Sequence, residues 1–442
     1  MNKLRAFVRR EWLPLAIVAV LFVVRLLLLD HLGAEYSIES DDLSYIKSGI
    51  TLAQTGMLTM HNNLYPSAQI MPGLSAIIAV FYLLFGEGHL FWLALKLLWC
   101  AMGAATGWFL YQAVRLFAPR PCAVIAALPL LRPDFLWTDN LILTETPFML
   151  LLTMMIYFTL QMGQTGKTRY YAGCGIAYLL ALSFKANIGL YPVFAGVYLL
   201  CKRYGFVKLL RQGVILALVL ACCLAPWAVR NYKQFGAFIP LTYGAGNPQL
   251  LGTYQGIGYP HDETLDYDTN VTQVMRETYA AYFNEDGTIP ERYQWYLALE
   301  EDGIQARYRM KVWWETHPGS MVLSYLFLKP WRMMNDIFYF EPVWGLSRDL
   351  VFHLQHLDTA LCCIVLLASL FLKKHRAELW FLTALYLGNV MLYAMTFAYG
   401  RYNMTLMPMR FLLIGIGLGA IAQTVQSKLR PPTPKQTEKL SN

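Results

Sequence analysis

Charged residues are scarce in this chain. Asp, Glu, Lys and Arg make up only 14% of its 442 residues, whereas hydrophobic residues make up 57%. A soluble domain of this length does not need the membrane-length apolar runs that recur along most of the sequence. The composition therefore excludes a soluble fold and predicts an all-α, polytopic integral membrane protein with about ten to twelve transmembrane helices.

Cysteine is absent from the longest polar segment, residues 230–352, and all eight cysteines lie in or beside apolar runs. We therefore expect no disulfide framework in that segment and interpret the cysteines as small apolar fillers. Their spacing matches no metal site. The sequence indicates no certain cofactor and leaves a divalent metal open. A Gly-rich loop for nucleotide binding is missing as well.

The net charge of +8 comes from basic clusters in short loops between apolar runs, so it indicates no nucleic-acid partner. We expect these clusters to face the cytoplasm, with both termini inside and the first run, Trp12 to Leu29, as an uncleaved signal anchor. The clusters are Lys3 with Arg5, Arg9 and Arg10; Lys167 with Arg169; Lys202-Arg203 with Lys208 and Arg211; Lys373 to Arg376; and the tail after Lys428.

Span counting then divides the chain into four parts. Residues 230–352 hold 15 acidic against 10 basic residues, although the whole chain is basic, which favours an extracytoplasmic position. The predicted parts are 1–229, an N-terminal transmembrane module with a catalytic first outer loop at 30–69; 230–352, an extracytoplasmic loop and juxtamembrane helical region; 353–427, the C-terminal transmembrane helices; and 428–442, a disordered cytoplasmic tail.

Three finer expectations follow from the apolar pattern. Of the two apolar runs in 68–117, the run at 70–85 is short for a span and is expected to be re-entrant or interfacial. A single span is expected near 121–136, and an interfacial amphipathic helix from Met321 to Phe340. Arg25 is expected to snorkel from the outer end of the first span, and Trp137 to belong to the interfacial aromatic belt.

Ionisable residues from five distant segments should meet on the outer membrane surface. Charges at that depth are costly and are functional candidates by default. Each residue also has a structural interpretation, as a helix cap, a hydrated loop residue, a snorkelling lysine or an anchoring ion pair. The main candidates are Asp41, Asp42, Glu145, Lys185, Arg230 and Arg401.

Six short motifs follow one another along the chain. They are Asp41-Asp42 with Tyr45; Pro72-Gly73 through Phe85-Gly86; Thr144-Glu145-x-x-Phe148; Lys185; Pro226-Trp227-x-x-Arg230-Asn231; and Arg401-Tyr402 with Pro408. Their order resembles the polyprenol-phosphate-sugar-dependent GT-C glycosyltransferases, a group that includes protein O-mannosyltransferases and the lipid A aminoarabinose transferase (glycosyltransferase family 39-like). The second acid of the first motif is Asp where the family has Glu.

The resemblance implies a GT-C-like fold and transfer of a sugar from a polyprenyl-phosphate donor to a lipid, glycan or protein acceptor on the extracytoplasmic face of the plasma or inner membrane. It implies catalysis by Asp41 and Asp42, and donor phosphate binding by Lys185, Arg230 and Arg401. Substrate binding would then fall to Tyr45, Glu145, Asn231 and Tyr402.

Two other functions stay open from the sequence. A transporter or flippase for a lipid-linked sugar would carry charges midway through its spans and an inverted repeat, and neither pattern is evident here. A polymerase or ligase of surface polysaccharide shares the many spans and the large outer loop, but would not need the early acidic loop.

Overall fold

The computed structural model describes residues 6 and 8–429. This part of the chain is helical, apart from loops and one isolated bridge between Met60 and Asn62. The predicted disordered tail lies outside the described residues from residue 430 onward, as do Lys3 and Arg5. The prediction of an all-α polytopic fold is confirmed.

Seven described helices are long and apolar enough to cross a membrane. Three shorter apolar segments accompany them, at 73–85, 120–131 and 186–201, so the chain is a multi-pass membrane protein. The seven are α1 (Trp12–Leu32), α4 (His89–Arg115), α7 (Glu145–Thr165), α10 (Phe206–Phe235), α16 (Arg348–Phe371), α17 (Arg376–Ala394) and α18 (Gly400–Leu429).

The remaining helices are shorter, and several begin at a proline, whose fixed φ suits the first helical turn. They are α2 (Asp41–Thr55), α3 (Gly73–Phe85), α5 (Arg120–Ala127), α6 (Pro133–Thr138), α8 (Thr168–Phe184), α9 (Tyr191–Cys201), α11 (Gly246–Gly252), α12 (Val274–Thr278), α13 (Glu291–Thr316), α14 (Pro318–Leu323) and α15 (Lys329–Asn335).

Burial separates the central helices from the peripheral ones. In α18, 89% of the apolar window is buried inside the protein, whereas in α10 the share is 11%. Helix α18 packs against α4, α5, α7, α16 and α17, so it is the axis of the bundle. The residues of its first turn are therefore held by neighbours from both halves of the chain.

Helix α3 fits the expectation of a short run at 70–85. Its 13 residues span about 20 Å, less than the roughly 30 Å of a bilayer core. It packs against α2 and α4. Whether it is re-entrant or interfacial stays a prediction.

The single span expected near 121–136 is wrong. The chain instead forms α5, a 3₁₀ turn at Leu128–Leu131 and then α6. Arg132, which precedes Pro133, has extended backbone angles (φ −60°, ψ 145°) because the proline ring disfavours a helical conformation in the residue before it. The break lets Arg132 and Asp134 turn into the protein.

The expectation for Arg25 is also wrong. Its side chain is fully buried, and its Nε lies 2.7 Å from Oδ2 of Asp139, which is equally buried. Gly103 on α4 makes room for this pair, because a Cβ there would lie 2.1 Å from the Asp139 oxygen. Trp137 is buried as well and donates to the Tyr36 hydroxyl, so it does not belong to an interfacial belt.

The segment 230–352 carries α11 to α15 and its own aromatic cluster around Phe235, Tyr243 and Tyr296. The helix expected from Met321 to Phe340 is present only in part: α14, a π-helical turn at Ser324–Leu328 and α15 end at Asn335, and residues 336–340 are not helical. Its interfacial position stays a prediction, and Lys329 within it is buried and donates to the carbonyl oxygens of Gly252 and Thr396.

Candidate active site

Arg401, in the first turn of α18, joins two carboxylates from the N-terminal half of the chain. Its guanidinium holds Glu145 through two nitrogens, with Nε at 2.7 Å from Oε1 and a terminal nitrogen at 3.3 Å from Oε2. The other terminal nitrogen lies 2.5 Å from Oδ2 of Asp41. A two-pronged arginine–carboxylate pair fixes orientation as well as charge. Residues 41, 145 and 401 therefore form one site.

Lys185 completes the cluster from the opposite side of Glu145. Its Nζ lies 2.8 Å from Oε1, the oxygen that also accepts from Arg401. The lysine stands in the break between α8 and the 3₁₀ turn Ala186–Leu190, where the backbone is extended. Its ammonium also lies 5.6 Å from the ring centre of Tyr402, within range of a cation–π contact.

Burial differs sharply between the two carboxylates. The Glu145 side chain is fully buried, whereas that of Asp41 is 37% exposed; Lys185 and Arg401 are 12% and 13% exposed. Charges in a buried site interact much more strongly than charges in water. Glu145 thus anchors the two cations, and Asp41 is the carboxylate that a substrate can reach.

Helix ends place all three partners. Asp41 is the first residue of α2 and Glu145 the first residue of α7, and a negative charge is favourable there because of the helix dipole. Arg401 is set by Asp336, whose Oδ2 accepts from the backbone N–H of Gly400 at 3.0 Å. A Cβ at Gly400 would lie 2.4 Å from the Ile337 carbonyl oxygen, so only glycine fits at the start of α18. Sequence analysis missed Asp336, which had no motif to mark it.

Two tyrosines line the cluster. Tyr402 stacks on Tyr393, with ring centres 4.7 Å apart and planes 13° from parallel. Tyr45 on α2 is buried, and this burial raises the pKa of its hydroxyl, although nearby Arg401 opposes the rise. The phenol therefore stays protonated. The predicted substrate contacts of Tyr45 and Tyr402 stay predictions.

The adjacent aspartates have different environments. Asp42 is only 3% exposed, and its two oxygens accept backbone N–H groups of Ile38 and Ser40 at 3.0 and 3.1 Å. A carboxylate occupied in this way fixes the turn that leads into α2. Of the two aspartates, only Asp41 contacts Arg401, so their contacts in the structure are different.

Arg230 and Asn231 contact other groups. The guanidinium of Arg230 donates to the carbonyl oxygens of Ser67 and Leu58, at 2.7 and 3.2 Å, and Asn231 is buried and donates to the Ile239 carbonyl oxygen. Arg230 therefore holds the first outer loop against the end of α10, and Asn231 fixes the segment that follows α10. This geometry gives no support to a phosphate role for Arg230.

A second charged cluster joins the chain break before α6 to α16. Arg132 donates to both oxygens of Asp134, at 3.1 and 2.8 Å, and also to Asp358 on α16. All three are largely buried. Asp358 lies within a predicted span and could have been suspected only from the cost of a lone charge there.

The metal question was left open by the sequence. Among the described residues, no three His, Cys, Asp or Glu side chains come together in a way that could hold an ion. In the candidate active site the two carboxylates, Asp41 and Glu145, are bridged by Arg401.

The comparisons with known proteins agree with the motif order. Residues 69–229 match the family model described as dolichyl-phosphate-mannose-protein mannosyltransferase. The matched part is little more than a third of the chain and includes the Pro72-Gly73 and Thr144-Glu145 motifs and Lys185, but ends before Arg230. The resemblance stated from the sequence is confirmed, and so is the prediction of an enzyme.

Two solved structures of ArnT from Cupriavidus metallidurans are similar to this chain. The form bound to undecaprenyl phosphate has 16% identity and a TM-score of 0.41, and the apo form has 15% and 0.41. Each comparison covers 97% of this chain and 82% of the other. Likeness at this level is too distant to transfer ligands or residue roles. A search of curated proteins found no match.

Proposed function

We propose that this glycosyltransferase moves a sugar from a polyprenyl-phosphate donor to an acceptor hydroxyl on the extracytoplasmic face of the cell membrane. The observation that carries the proposal is the bridge of Arg401 between exposed Asp41 and buried Glu145, with Lys185 on the same Glu145 oxygen. The site thus offers a reachable base next to two cations, which is what transfer from a phosphate requires.

The proposed step is a displacement at the anomeric carbon. Asp41 accepts the proton of the acceptor hydroxyl while the oxygen of that hydroxyl forms the new bond to the anomeric carbon. The bond from the carbon to the phosphate oxygen breaks, and the polyprenyl phosphate leaves with the electron pair. Lys185 and Arg401 stabilise the negative charge that develops on the phosphate.

The helix directions support an extracytoplasmic site. Helix α7 starts at the site with Glu145 and ends just before Lys167 and Arg169, and α18 starts at the site and ends at the basic tail. The 21 residues of α7 separate the two ends by roughly 30 Å. Since basic loops favour the cytoplasmic side, these directions support an extracytoplasmic position for the site.

Substitution of each aspartate tests the proposal. Asp41→Asn should abolish the product, whereas Asp42→Asn should keep transfer per folded protein, because Asp42 only holds a turn. The readout is mass spectrometry of envelope glycans from cells that express wild type, either variant or no enzyme. A full set of products with Asp41→Asn would eliminate the base.

Binding of undecaprenyl phosphate to the purified protein tests the cations separately. Arg401→Gln should weaken this binding. Asp41→Asn should strengthen it about fivefold, because loss of a partly exposed ion pair of about 1 kcal/mol frees the guanidinium. If Asp41→Asn weakens binding as much as Arg401→Gln does, Asp41 helps to bind the phosphate and is not a base that competes with the phosphate for Arg401.

A further inference from the structure

A cavity of about 370 Å³ separates the first outer loop from the beginning of α13. Its volume falls within the range of about 300–1,000 Å³ that is usual for small-molecule sites. None of the ion-cluster residues lines it, so it is a distinct space. The side chains used below are His61, Asn62, Tyr65, Glu291, Arg292 and Trp295.

Trp295 presents a fixed aromatic surface to this cavity. Its indole is 45% exposed although it is held in place: Nε1 donates to Oε1 of Gln69 at 2.8 Å, and the ring meets that of His61 edge-on at 5.6 Å. An exposed tryptophan whose N–H is already satisfied has its ring face free for a ligand. A ring face of this kind packs well against an apolar surface such as the C–H face of a sugar.

The polar groups around Trp295 suit an uncharged ligand. The Glu291 carboxylate accepts from the Tyr65 hydroxyl at 2.6 Å, and the Arg292 guanidinium donates to the Gln234 carbonyl oxygen at 3.0 Å. One acid and one base give a lining with little net charge. Together with the amide of Asn62, these side chains offer hydrogen-bond donors and acceptors to the hydroxyl groups of a ligand. The cluster at Arg401, in contrast, offers cations suited to a phosphate.

The loop side of the cavity is strained at one residue. His61 has a φ of +60°, which non-glycine residues seldom adopt. Such a conformation is strained and persists where the surrounding structure enforces it, often at a binding site. Here it brings the imidazole to Trp295, so the strained residue is also the one that helps form the aromatic wall.

The cavity adjoins the helix that carries the proposed base. Oγ of Ser44 lies 3.4 Å from Nδ1 of His61. Ser44 follows Asp41 by three residues on α2, and residues at this spacing share one helix face. A ligand in the cavity therefore lies beside the same face from which Asp41 reaches Arg401.

We propose that this cavity binds a sugar unit of the acceptor, so that the acceptor is a carbohydrate, either a glycan chain or the headgroup of a glycolipid. The inference rests on the proposed function for the transfer itself, but sugar binding can be measured without a donor. Trp295 then decides acceptor binding, while Lys185 and Arg401 serve the donor.

Ligand-observed saturation-transfer NMR on the full chain in nanodiscs tests the proposal, with a panel of methyl hexosides and methyl pentosides as probes. At least one glycoside should receive saturation from the wild-type protein. Trp295→Ala should weaken its binding about tenfold, and Trp295→Phe should restore part of it because the ring face remains. Trp314→Ala is the matched control, since Trp314 is exposed on the same helix about 28 Å further along.

The outcomes separate the two levels of inference. If no glycoside binds, or if Trp295→Ala and Trp314→Ala bind equally well, the sugar cavity is refuted; the loss of glycans with Asp41→Asn would still stand. Saturation of a Ser/Thr-containing peptide instead of the glycosides would also refute it. A hexosyl-diacylglycerol added to the nanodisc bilayer distinguishes the two kinds of carbohydrate acceptor. It should compete with the free glycoside if the acceptor is a glycolipid, and it should have no effect if the acceptor is a glycan chain. Either result agrees with a carbohydrate acceptor.

Discussion

Removal of the charge on Glu145 is the most informative single change in this site. The carboxylate is fully buried and accepts four hydrogen bonds, two from Arg401 at 2.7 and 3.3 Å, one from Lys185 at 2.8 Å and one from the Thr144 hydroxyl at 3.3 Å. Glu145→Gln has nearly the same shape, so it removes the charge and leaves the packing. Two cations that are mostly buried then lose their shared counter-charge.

The expected cost follows from the burial of the pair. Loss of one partner from a buried ion pair costs about 3–5 kcal/mol. Asp41→Asn removes a carboxylate from the same guanidinium, but Asp41 is 37% exposed. A pair of that exposure contributes about 1 kcal/mol or less. The loss of unfolding free energy should therefore be several-fold larger in Glu145→Gln than in Asp41→Asn, although both variants change a carboxylate to an amide beside Arg401.

Thermal unfolding of the purified protein in detergent micelles, followed by tryptophan fluorescence at one scan rate, measures the difference. At about 2 °C per kcal/mol, Glu145→Gln should lower Tm by about 6–10 °C and Asp41→Asn by about 2 °C. Added undecaprenyl phosphate should raise Tm more in Glu145→Gln than in wild type, since it supplies the missing negative charge. Equal losses of Tm in both variants, with equal responses to phosphate, would refute the assignment of Glu145 as the anchor.

Two further predictions concern groups outside the ion cluster. Arg25→Met should lower Tm strongly because it leaves buried Asp139 unpaired, and Asp139→Leu added to it should recover part of the loss; a double variant less stable than either single would contradict this. Burial lowers the pKa of Lys329 to about 7 from its ordinary 10.5. Between pH 7 and pH 10.5 the unfolded chain therefore binds more protons than the folded chain, so the free energy of unfolding should rise with pH. Tm measured from neutral to alkaline pH should show this rise in wild type and a flatter profile in Lys329→Met; parallel profiles would be contrary to the reasoning.

Much of the bundle could be predicted because a bilayer imposes simple rules on a chain. Apolar length gives the helices, and the charge of the loops gives their direction. These two rules already put Glu145, Lys185 and Arg401 at one membrane surface, and the structure shows them in contact. A sequence pattern does not show, however, which of the two carboxylates is buried. This difference in burial makes Glu145 an anchor and leaves Asp41 accessible.

The failures share a physical cause, since each depends on a close approach between distant segments. A lone arginine near the end of a span looks the same whether it snorkels or pairs; Arg25 pairs because Gly103 on another helix leaves space for Asp139. The phosphate role expected for Arg230 stays a prediction, although its guanidinium donates to the loop carbonyl oxygens of Ser67 and Leu58. In both cases the partner is set by tertiary packing, which single-sequence periodicity does not describe.

The charge balance of the site indicates which contact a donor has to break. Two cations face two carboxylates, so the arrangement of Lys185, Arg401, Glu145 and Asp41 is neutral before a phosphate arrives. An added anion needs a cation that can change partner. Glu145 is buried with four hydrogen bonds, whereas Asp41 is 37% exposed and contacts Arg401 through one nitrogen. Exchange at Asp41 is therefore the cheaper step, and on our proposal it frees the base at the moment the donor phosphate takes its place on Arg401.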